Sequence, residues 1–195
     1  MKSEARERML TEGARLVHRK GFNNTGISDV VRAAGVPKGS FYFYFPSKEA
    51  FGLALIDEYI AFIKSVANEC WQDVSIPPLQ RLKNFYRWFR DFFVANDYKD
   101  GCPIGNLCLE MADTNDAFQE KLSQAMSSLL MWQEEALKLA KDQGQLPENI
   151  DPATLSGFIM SAWQGAILQM KAMRNAEPLD GFETMVFDRI LRSNV

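Results

Sequence analysis

Residues 25–51 read TGISDVVRAAGVPKGSFYFYFPSKEAF, and the glycines and prolines in this run divide it into short segments. A short helix is predicted over 29–34, with Ser28 as its N-cap and a glycine directly after its last residue. A tight connection that begins at Val36 leads into a second short helix, predicted over 39–45, which the following proline ends. Two short helices joined by a glycine-containing turn are typical of a helix-turn-helix unit, whose second helix reads the major groove of DNA.

The rest of the chain is predicted to be helical as well. Before this unit, Met9, Leu10 and Val17 belong to an apolar stripe at helical spacing that stops at Lys20-Gly21. After it, apolar residues recur at helical spacing along a long connector helix over residues 47–72. No segment shows the alternation that is typical of a strand, so the fold class is all-α. Further helices are predicted near 78–96, 103–113, 115–143, 152–175 and 180–192.

We expect two domains. Residues 1–48 form an N-terminal three-helix, helix-turn-helix DNA-binding domain, and residues 49–195 form a C-terminal helical domain. The N-terminal segment carries nine Lys and Arg against four Asp and Glu, whereas the remainder carries thirteen against twenty-one. A basic segment on a chain whose net charge is -3 indicates a surface for a polyanion such as DNA.

The composition excludes several other classes of protein. Three scattered cysteines without C-x-x-C spacing predict neither a disulfide framework nor a zinc site. A single histidine leaves no His-rich metal site, and no cofactor is expected. The charged start of the chain and the lack of a long apolar run predict neither secretion nor a membrane span, and therefore a cytoplasmic protein. Without a nucleophile beside a base or a glycine-rich phosphate loop, we do not expect an enzyme.

The predicted recognition helix combines cations with a run of aromatic residues. Lys38 and Ser40 lie at its start, where backbone N–H groups and the helix dipole favour phosphate, and Lys48 adds a cation just after it. Phe41 and Phe45 are four residues apart and are expected to pack inward. The three aromatics between them then face outward, where a DNA backbone, sugar or thymine methyl group would cover them. The alternative is that all five belong to the core.

The run over residues 25–51 resembles the DNA-binding signature of TetR-family regulators. The resemblance implies a homodimer with one DNA-reading unit per subunit, a palindromic double-stranded operator, and repression that a small ligand relieves. It also implies that the C-terminal helical domain, residues 49–195, serves ligand binding and dimerisation. Many members of the family carry histidine at the position of Phe43, so an apolar contact or simple packing replaces a polar contact there. The positions that match the family's usual DNA contacts are Thr25, Ser28, Lys38, Gly39, Ser40, Tyr42, Phe43, Tyr44 and Lys48.

In similar proteins the last two helices form the dimer interface. Three small residues recur every four positions on the first of these helices, which would allow a second helix to approach closely. Packing within one subunit would produce the same pattern, because spacing does not tell whose helix fills the groove. The interface candidates are Gly157, Ser161, Gly165, Phe158, Phe182 and Met185.

An effector cavity is expected among the central helices. Aromatic and methionine side chains concentrate there, and such linings suit an apolar or planar ligand. The alternative is that the same side chains are ordinary core. The candidate lining residues are Trp88, Phe89, Phe92, Met126, Trp132, Trp163 and Met170.

The segment GCPIGNL, residues 101–107, is the most distinctive one outside the N-terminal domain. Cys102 precedes a predicted helix, whose N-terminal end would favour the reactive thiolate form. The segment resembles that of a TetR-family subgroup in which a cysteine at this place senses oxidants or electrophiles. In that subgroup a lysine of the penultimate helix approaches the cysteine, and Lys171 is the matching residue here. Asp100 would oppose the thiolate, and a purely structural segment is the alternative.

The function that these features predict is sequence-specific DNA binding by a transcriptional regulator. We expect a repressor that releases its operator when a small molecule binds or when Cys102 is modified. The alternative is a TetR-like adaptor that binds a protein partner instead of DNA. The basic N-terminal domain with Lys38, Tyr42 and Lys48 favours DNA.

Overall fold

A computed structural model describes residues 2–191, which form helices joined by short loops and contain no β-strand. The all-α prediction is confirmed. None of the described helices is both long enough and apolar enough to cross a bilayer. Residues 192–195, which belong to the predicted C-terminal domain and include the predicted end of its last helix, lie outside the described residues. The helices are α1 Lys2–Lys20, α2 Ile27–Ala33, α3 Lys38–Tyr44, α4 Lys48–Trp71, α5 Pro78–Ala95, α6 Pro103–Met111, α7 Asp116–Asp142, α8 Pro152–Met173 and α9 Glu177–Glu183, which continues into a π-helical segment over Thr184–Ile190.

The starts of α2 and α3 differ from the prediction. Gly26, and not Ser28, is the N-cap of α2, because its backbone is extended (φ -82°, ψ 149°) and its N–H donates to the Asp29 carboxylate at 3.4 Å. Pro37 is the N-cap of α3, so this helix begins one residue before Gly39. Neither cap uses a side-chain hydroxyl, and a search for Ser or Thr therefore places both starts too late.

The C-terminal helices have clear ends. The Asp151 carboxylate accepts a hydrogen bond from the backbone N–H of Thr154 at 2.9 Å and caps the start of α8. Arg174, with φ 57°, ends α8 in the left-handed conformation. The helix predicted to begin near residue 180 begins earlier, at Glu177, because a proline in the first turn of a helix lacks only an N–H that has no intrahelical acceptor.

The chain forms two compact units. The first comprises the residues up to Phe62 together with Pro103–Ala125, and the second comprises Ile63–Cys102 together with the residues from Met126 onward. The helix-turn-helix segment thus shares its unit with α6 and the start of α7. The division into domains at residue 48 stays a prediction.

Two glycines allow close packing in the first unit. A Cβ on Gly13 of α1 would lie 2.2 Å from the tip of the Phe51 ring on α4. A Cβ on Gly52 would lie 2.4 Å from the Phe118 ring and 2.6 Å from the Phe22 ring. Because a hydrogen alone leaves room for these rings, α4 packs directly against its neighbours at both glycines.

A buried polar network crosses the core of the second unit. Tyr86 of α5 packs against Trp163 and Phe182, with ring centroids 4.9 and 5.0 Å away. Its hydroxyl donates to the Gln133 side-chain oxygen, and the Gln133 amide donates to the Ser156 carbonyl at 2.8 Å. Burial raises the pKa of Tyr86 far above its usual range, so the phenol stays a hydrogen-bond donor.

Candidate nucleic-acid interface

An aromatic cluster holds α3 against α4. Phe41 is completely buried and Phe45 is 3% exposed, which confirms that these two residues pack inward. The Phe41 ring centroid lies 5.4 Å from that of Phe45 and 5.5 Å from that of Phe51. Such tilted ring pairs are favourable geometries, so one face of α3 is firmly anchored.

The opposite face of α3 is exposed. Tyr42 is 57% exposed and Phe43 is 65% exposed, so the interpretation of all five aromatics as core is wrong. Lys38 and Gly39 are exposed beside them, whereas Ser40 and Tyr44 are half-buried. An apolar surface next to a cation, presented by a short anchored helix, is suited to a DNA groove and its phosphates.

Thr25 and Ser28, two other predicted contacts, differ in their surroundings. Thr25 is 2% exposed, and its hydroxyl donates to the Gly21 carbonyl at 2.7 Å. This bond stabilises the loop over residues 21–25 and leaves the Thr25 side chain almost no surface for DNA. Ser28 is exposed in the first turn of α2 and is available for contact.

The Lys48 side chain makes its polar contacts within its own unit. Its ammonium group donates to the Asn23 carbonyl at 3.1 Å and lies 4.7 Å from the centre of the Phe22 ring. Burial lowers the pKa of Lys48 below its usual range, a shift that the Glu110 charge opposes and the Lys20 charge increases. Lys48 therefore stabilises the 21–25 loop.

Asp29 pairs with two other cations of this region. Its two carboxylate oxygens lie 2.6 Å from Lys20 Nζ and 2.5 Å from an Arg32 nitrogen. The hydrogen bond from Lys20, followed by that from the Gly26 N–H, holds the pKa of Asp29 below its usual range. Lys38 has no such carboxylate among the described residues, which leaves its charge available at the exposed face.

Glu110 of α6 is a functional candidate that sequence reasoning missed. Its carboxylate accepts hydrogen bonds from the backbone N–H groups of Phe22 at 2.8 Å and Asn23 at 2.7 Å. Gly21, with φ 84°, allows the carboxylate to come close, since a Cβ there would lie 3.0 Å from both carboxylate oxygens. The partners are 88 and 87 residues apart in the chain, so no local pattern could reveal them.

The predicted interface residues of α8 share an exposed surface of the second unit. Phe158 is 51% exposed, and Ser161 is exposed as well. Gly157 and Gly165 are half-buried, and a Cβ on either would meet no atom within 4 Å. Leu168, further along the same helix, is 62% exposed.

Two predicted interface residues from the end of the chain differ in burial. Met185, in the π-helical segment, is 55% exposed. Phe182 is 6% exposed and packs inside the subunit, with its ring centroid 5.0 Å from those of Tyr86 and Trp163. Phe182 therefore belongs to the core of the second unit.

The predicted effector-lining residues lie in or next to the core of the second unit. Met170 is fully buried and Trp163 is 7% exposed. The Trp88 and Phe92 rings are stacked, with centroids 5.6 Å apart and planes 10° apart. Trp132, Phe89 and Met126 are half-buried.

The Cys102 thiol has a neighbour on α8. Gln164 Nε2 lies 3.4 Å from its sulfur at hydrogen-bonding geometry. The prediction expected Lys171 to approach the thiol, but the α8 residue that donates to the sulfur is Gln164. Lys171 lies two turns later on α8 and is half-buried. All three cysteines are half-buried and form no disulfide among the described residues. The described residues contain no group of three or more His, Cys, Asp or Glu side chains that could hold a metal ion.

Comparison with known proteins identifies similar chains over nearly the full length. Residues 9–55 match the family model for bacterial regulatory proteins of the tetR family, and residues 78–186 match that for the tetracyclin repressor-like C-terminal domain. The HTH-type transcriptional repressor DhaR of Mycobacterium sp. (strain GP1) is 31% identical, over 98% of this chain and 95% of that protein.

Two crystal structures extend the likeness to the fold. The regulatory protein TetR from Rhodobacter sphaeroides has a TM-score of 0.87 at 32% identity, covering 95% of this chain and 97% of that one. The reduced form of E. coli NemR has a TM-score of 0.83 at 29% identity, covering 94% of this chain and 96% of that one.

Proposed function

The chain belongs to the TetR family of bacterial transcriptional regulators, and on that premise we propose that it is a homodimeric repressor of a palindromic operator. It is a sequence-specific DNA-binding regulator. In our proposal, α3 of each subunit enters a major groove, and a small-molecule effector in the second unit causes release. The relative DhaR is named as a repressor, which supports the same direction of control here.

The observation that carries this proposal is the two-sided character of α3. Phe41 and Phe45 are buried while Tyr42 and Phe43 are exposed on the same short helix. Exposed aromatic rings next to an unpaired lysine are costly in water unless a partner covers them. DNA supplies apolar contacts from thymine methyl groups and sugars, and phosphates for the cation.

Operator selection from random DNA tests the proposal. We expect a palindromic site whose affinity falls steeply with salt, because phosphate contacts release counterions. In the dimer, Lys38→Ala should reduce the salt slope by about 2, since each subunit loses one phosphate contact. The matched control is Lys99→Ala, which should keep the wild-type slope. The Lys99 ammonium group lies on the second unit and pairs with Asp97 at 3.0 Å.

The opposite results are equally informative. If no sequence were enriched even at low salt, the DNA-binding proposal would fail and a protein-binding adaptor would replace it. An unchanged slope in Lys38→Ala would remove that residue from the phosphate contacts while leaving the selected operator as evidence for a regulator.

The exposed face of α8 predicts how the subunits associate. Phe158→Asp should weaken the dimer by about 100-fold or more, because an isologous interface contains the substituted residue twice and a charge is buried each time. Leu109→Asp, on the first unit at an 82% exposed position, is the matched control and should stay dimeric. Sedimentation equilibrium measures both constants. A Phe158→Asp protein that remains as dimeric as the control would move the interface away from this face.

A second route of release is modification of Cys102. What supports it is a half-buried thiol directly before α6, together with a relative whose crystal structure is described as its reduced form. Cys70 is a poor competitor, because burial and the neighbouring Glu69 raise the pKa of its thiol.

The same operator assay tests this route when iodoacetamide is added. We expect the alkylated wild type and the alkylated Cys70→Ser variant to lose operator binding, whereas Cys102→Ser keeps it. Equal loss in all three proteins would exclude Cys102 as the sensor, and full retention in the wild type would leave a reversible effector as the only route.

A further inference from the structure

Helix α5 carries four cationic side chains, and three of them have anionic partners. Lys83 is 7% exposed, and its ammonium group lies 2.7 Å from an Asp188 oxygen. Arg87 and Arg90 form ion pairs with carboxylates at 2.6 and 2.9 Å. The fourth cation, Arg81, lies at a buried position of the same helix and departs from this pattern.

Arg81 is 4% exposed, and its Nε–H has no hydrogen-bond acceptor. Among the described residues, no carboxylate lies within ion-pair distance of its guanidinium. Hydrogen bonds from the Ser75 hydroxyl and backbone N–H, with a smaller contribution from the Arg81 charge, hold the pKa of Asp73 below its usual range, so that carboxylate is bound to Ser75 instead. Without a paired carboxylate, the attraction that offsets the lost hydration of this guanidinium is limited to the face of the Trp71 ring and the more distant charge of Asp73.

The position of Arg81 in α5 adds to this cost. It lies in the first turn after Pro78, at the positive end of the helix dipole, and that turn contains no acidic residue. Both the guanidinium and the helix end therefore favour an anion at this place. Lys83, the other cation that is buried among the described residues, is paired with a carboxylate, so the imbalance at Arg81 indicates an anion that comes from outside the chain.

Aromatic rings lie beside the guanidinium. The Arg81 carbon Cζ is 5.4 Å from the centre of the Trp71 ring. The Trp71 ring centroid lies 5.2 Å from that of Trp132, which in turn lies 4.7 Å from that of Phe85. Trp71 and Trp132 are half-buried, so both retain surface for a further contact. This surface suits an apolar or planar body attached to the anion.

We propose that Arg81 anchors an effector site for small organic acids, in which the guanidinium binds the carboxylate and Trp71 and Trp132 contact the apolar body. The inference identifies the chemical class of the effector, and its consequence at the operator rests on the function proposed above. The proposed site should prefer anionic ligands to uncharged analogues, because an uncharged analogue would leave the guanidinium without an anion.

Benzoate, benzamide and inorganic phosphate are the probes. Tryptophan fluorescence and thermal melting of the full chain, without DNA, should show saturable binding of benzoate that raises Tm. Benzamide should bind at least about 10-fold more weakly because it lacks the charge. Phosphate should also bind more weakly, because it offers no apolar body. Equal binding of benzamide or phosphate, or no binding of benzoate at millimolar concentration, would overturn the proposal.

Arg81→Met separates a ligand-binding role from a structural one. We expect it to abolish benzoate binding and to raise the Tm of the ligand-free protein by about 2–4 °C, since a buried unpaired charge is replaced by an apolar chain of similar length. Arg87→Met, which removes a paired arginine of the same helix, should keep benzoate binding and gain no stability. A lower Tm in Arg81→Met with benzoate binding retained would show that Arg81 is structural.

The site and the proposed function can fail separately. A wild-type protein that binds benzoate but selects no operator would contradict the repressor and support the acid site. A protein that selects an operator but binds no benzoate would contradict the acid site and leave the repressor intact. Benzoate should release the selected operator from the wild-type protein but not from Arg81→Met. This result would support both the acid site and the repressor function.

Discussion

Phe43→Ala should weaken operator binding by about 10- to 100-fold, because each subunit of the dimer loses an apolar contact worth roughly 1 kcal/mol. The side chain is 65% exposed, so its removal leaves no cavity. Thermal stability should therefore stay within about 0.5 kcal/mol of the wild type. Titration of the selected operator and thermal melting measure the two quantities on the same protein.

Phe41→Ala, two residues earlier on the same helix, is the matched contrast. Phe41 is completely buried against Phe45 and Phe51, so truncation should cost about 3–5 kcal/mol of unfolding free energy. Its loss of operator binding should follow loss of the fold, visible as a lower Tm. If Phe43→Ala also lowered Tm, or bound the operator as tightly as the wild type, the exposed face of α3 would not be the reading surface.

Glu110→Ala should weaken the operator complex through the 21–25 loop. The change removes the acceptor for the backbone N–H groups of Phe22 and Asn23, and leaving a part-buried donor unsatisfied costs about 1–3 kcal/mol. The loop precedes α2 directly, so we expect a lower Tm, faster amide hydrogen exchange at Phe22 and Asn23, and a roughly 10-fold weaker operator complex.

Two further variants give this experiment its controls. Glu110→Gln keeps an acceptor oxygen without the charge and should fall between the wild type and Glu110→Ala. Asp57→Asn removes a 65% exposed carboxylate that pairs with Lys121 in the same unit, and it should change neither exchange nor affinity. Unchanged amide exchange in Glu110→Ala would show that the carboxylate does not stabilise the loop.

The sequence predicts the helix boundaries well where a residue type restricts the backbone in the same way in every context. Gly35 and Pro46 separate the helices correctly because their backbone restrictions act locally. The prediction fails at Ser28, because an extended backbone at Gly26 caps α2 without a side-chain hydroxyl. It also places the start of α9 too late, since Pro178 is compatible with the first turn of a helix.

The functional sites show the same contrast between features that local sequence predicts and features that it does not. The outward face of α3 follows from helical spacing alone, because five aromatics cannot all be buried on one short helix. The contact of Gln164 with Cys102 and the bonds of Glu110 depend on residues far apart in the chain. The lack of a hydrogen-bond acceptor at Arg81 Nε is harder still to predict from the sequence, since it depends on every residue that surrounds this atom in the fold.

The close packing at Gly52 bears on genetic screens of this protein. Every missense change of that codon adds at least a Cβ, and the rings of Phe22 and Phe118 leave no room for one. Loss-of-repression alleles should therefore accumulate at a position that lies outside the predicted DNA contacts and the predicted effector site. A screen that reads each such allele as a contact would assign a binding role to a residue whose only requirement is the lack of a side chain.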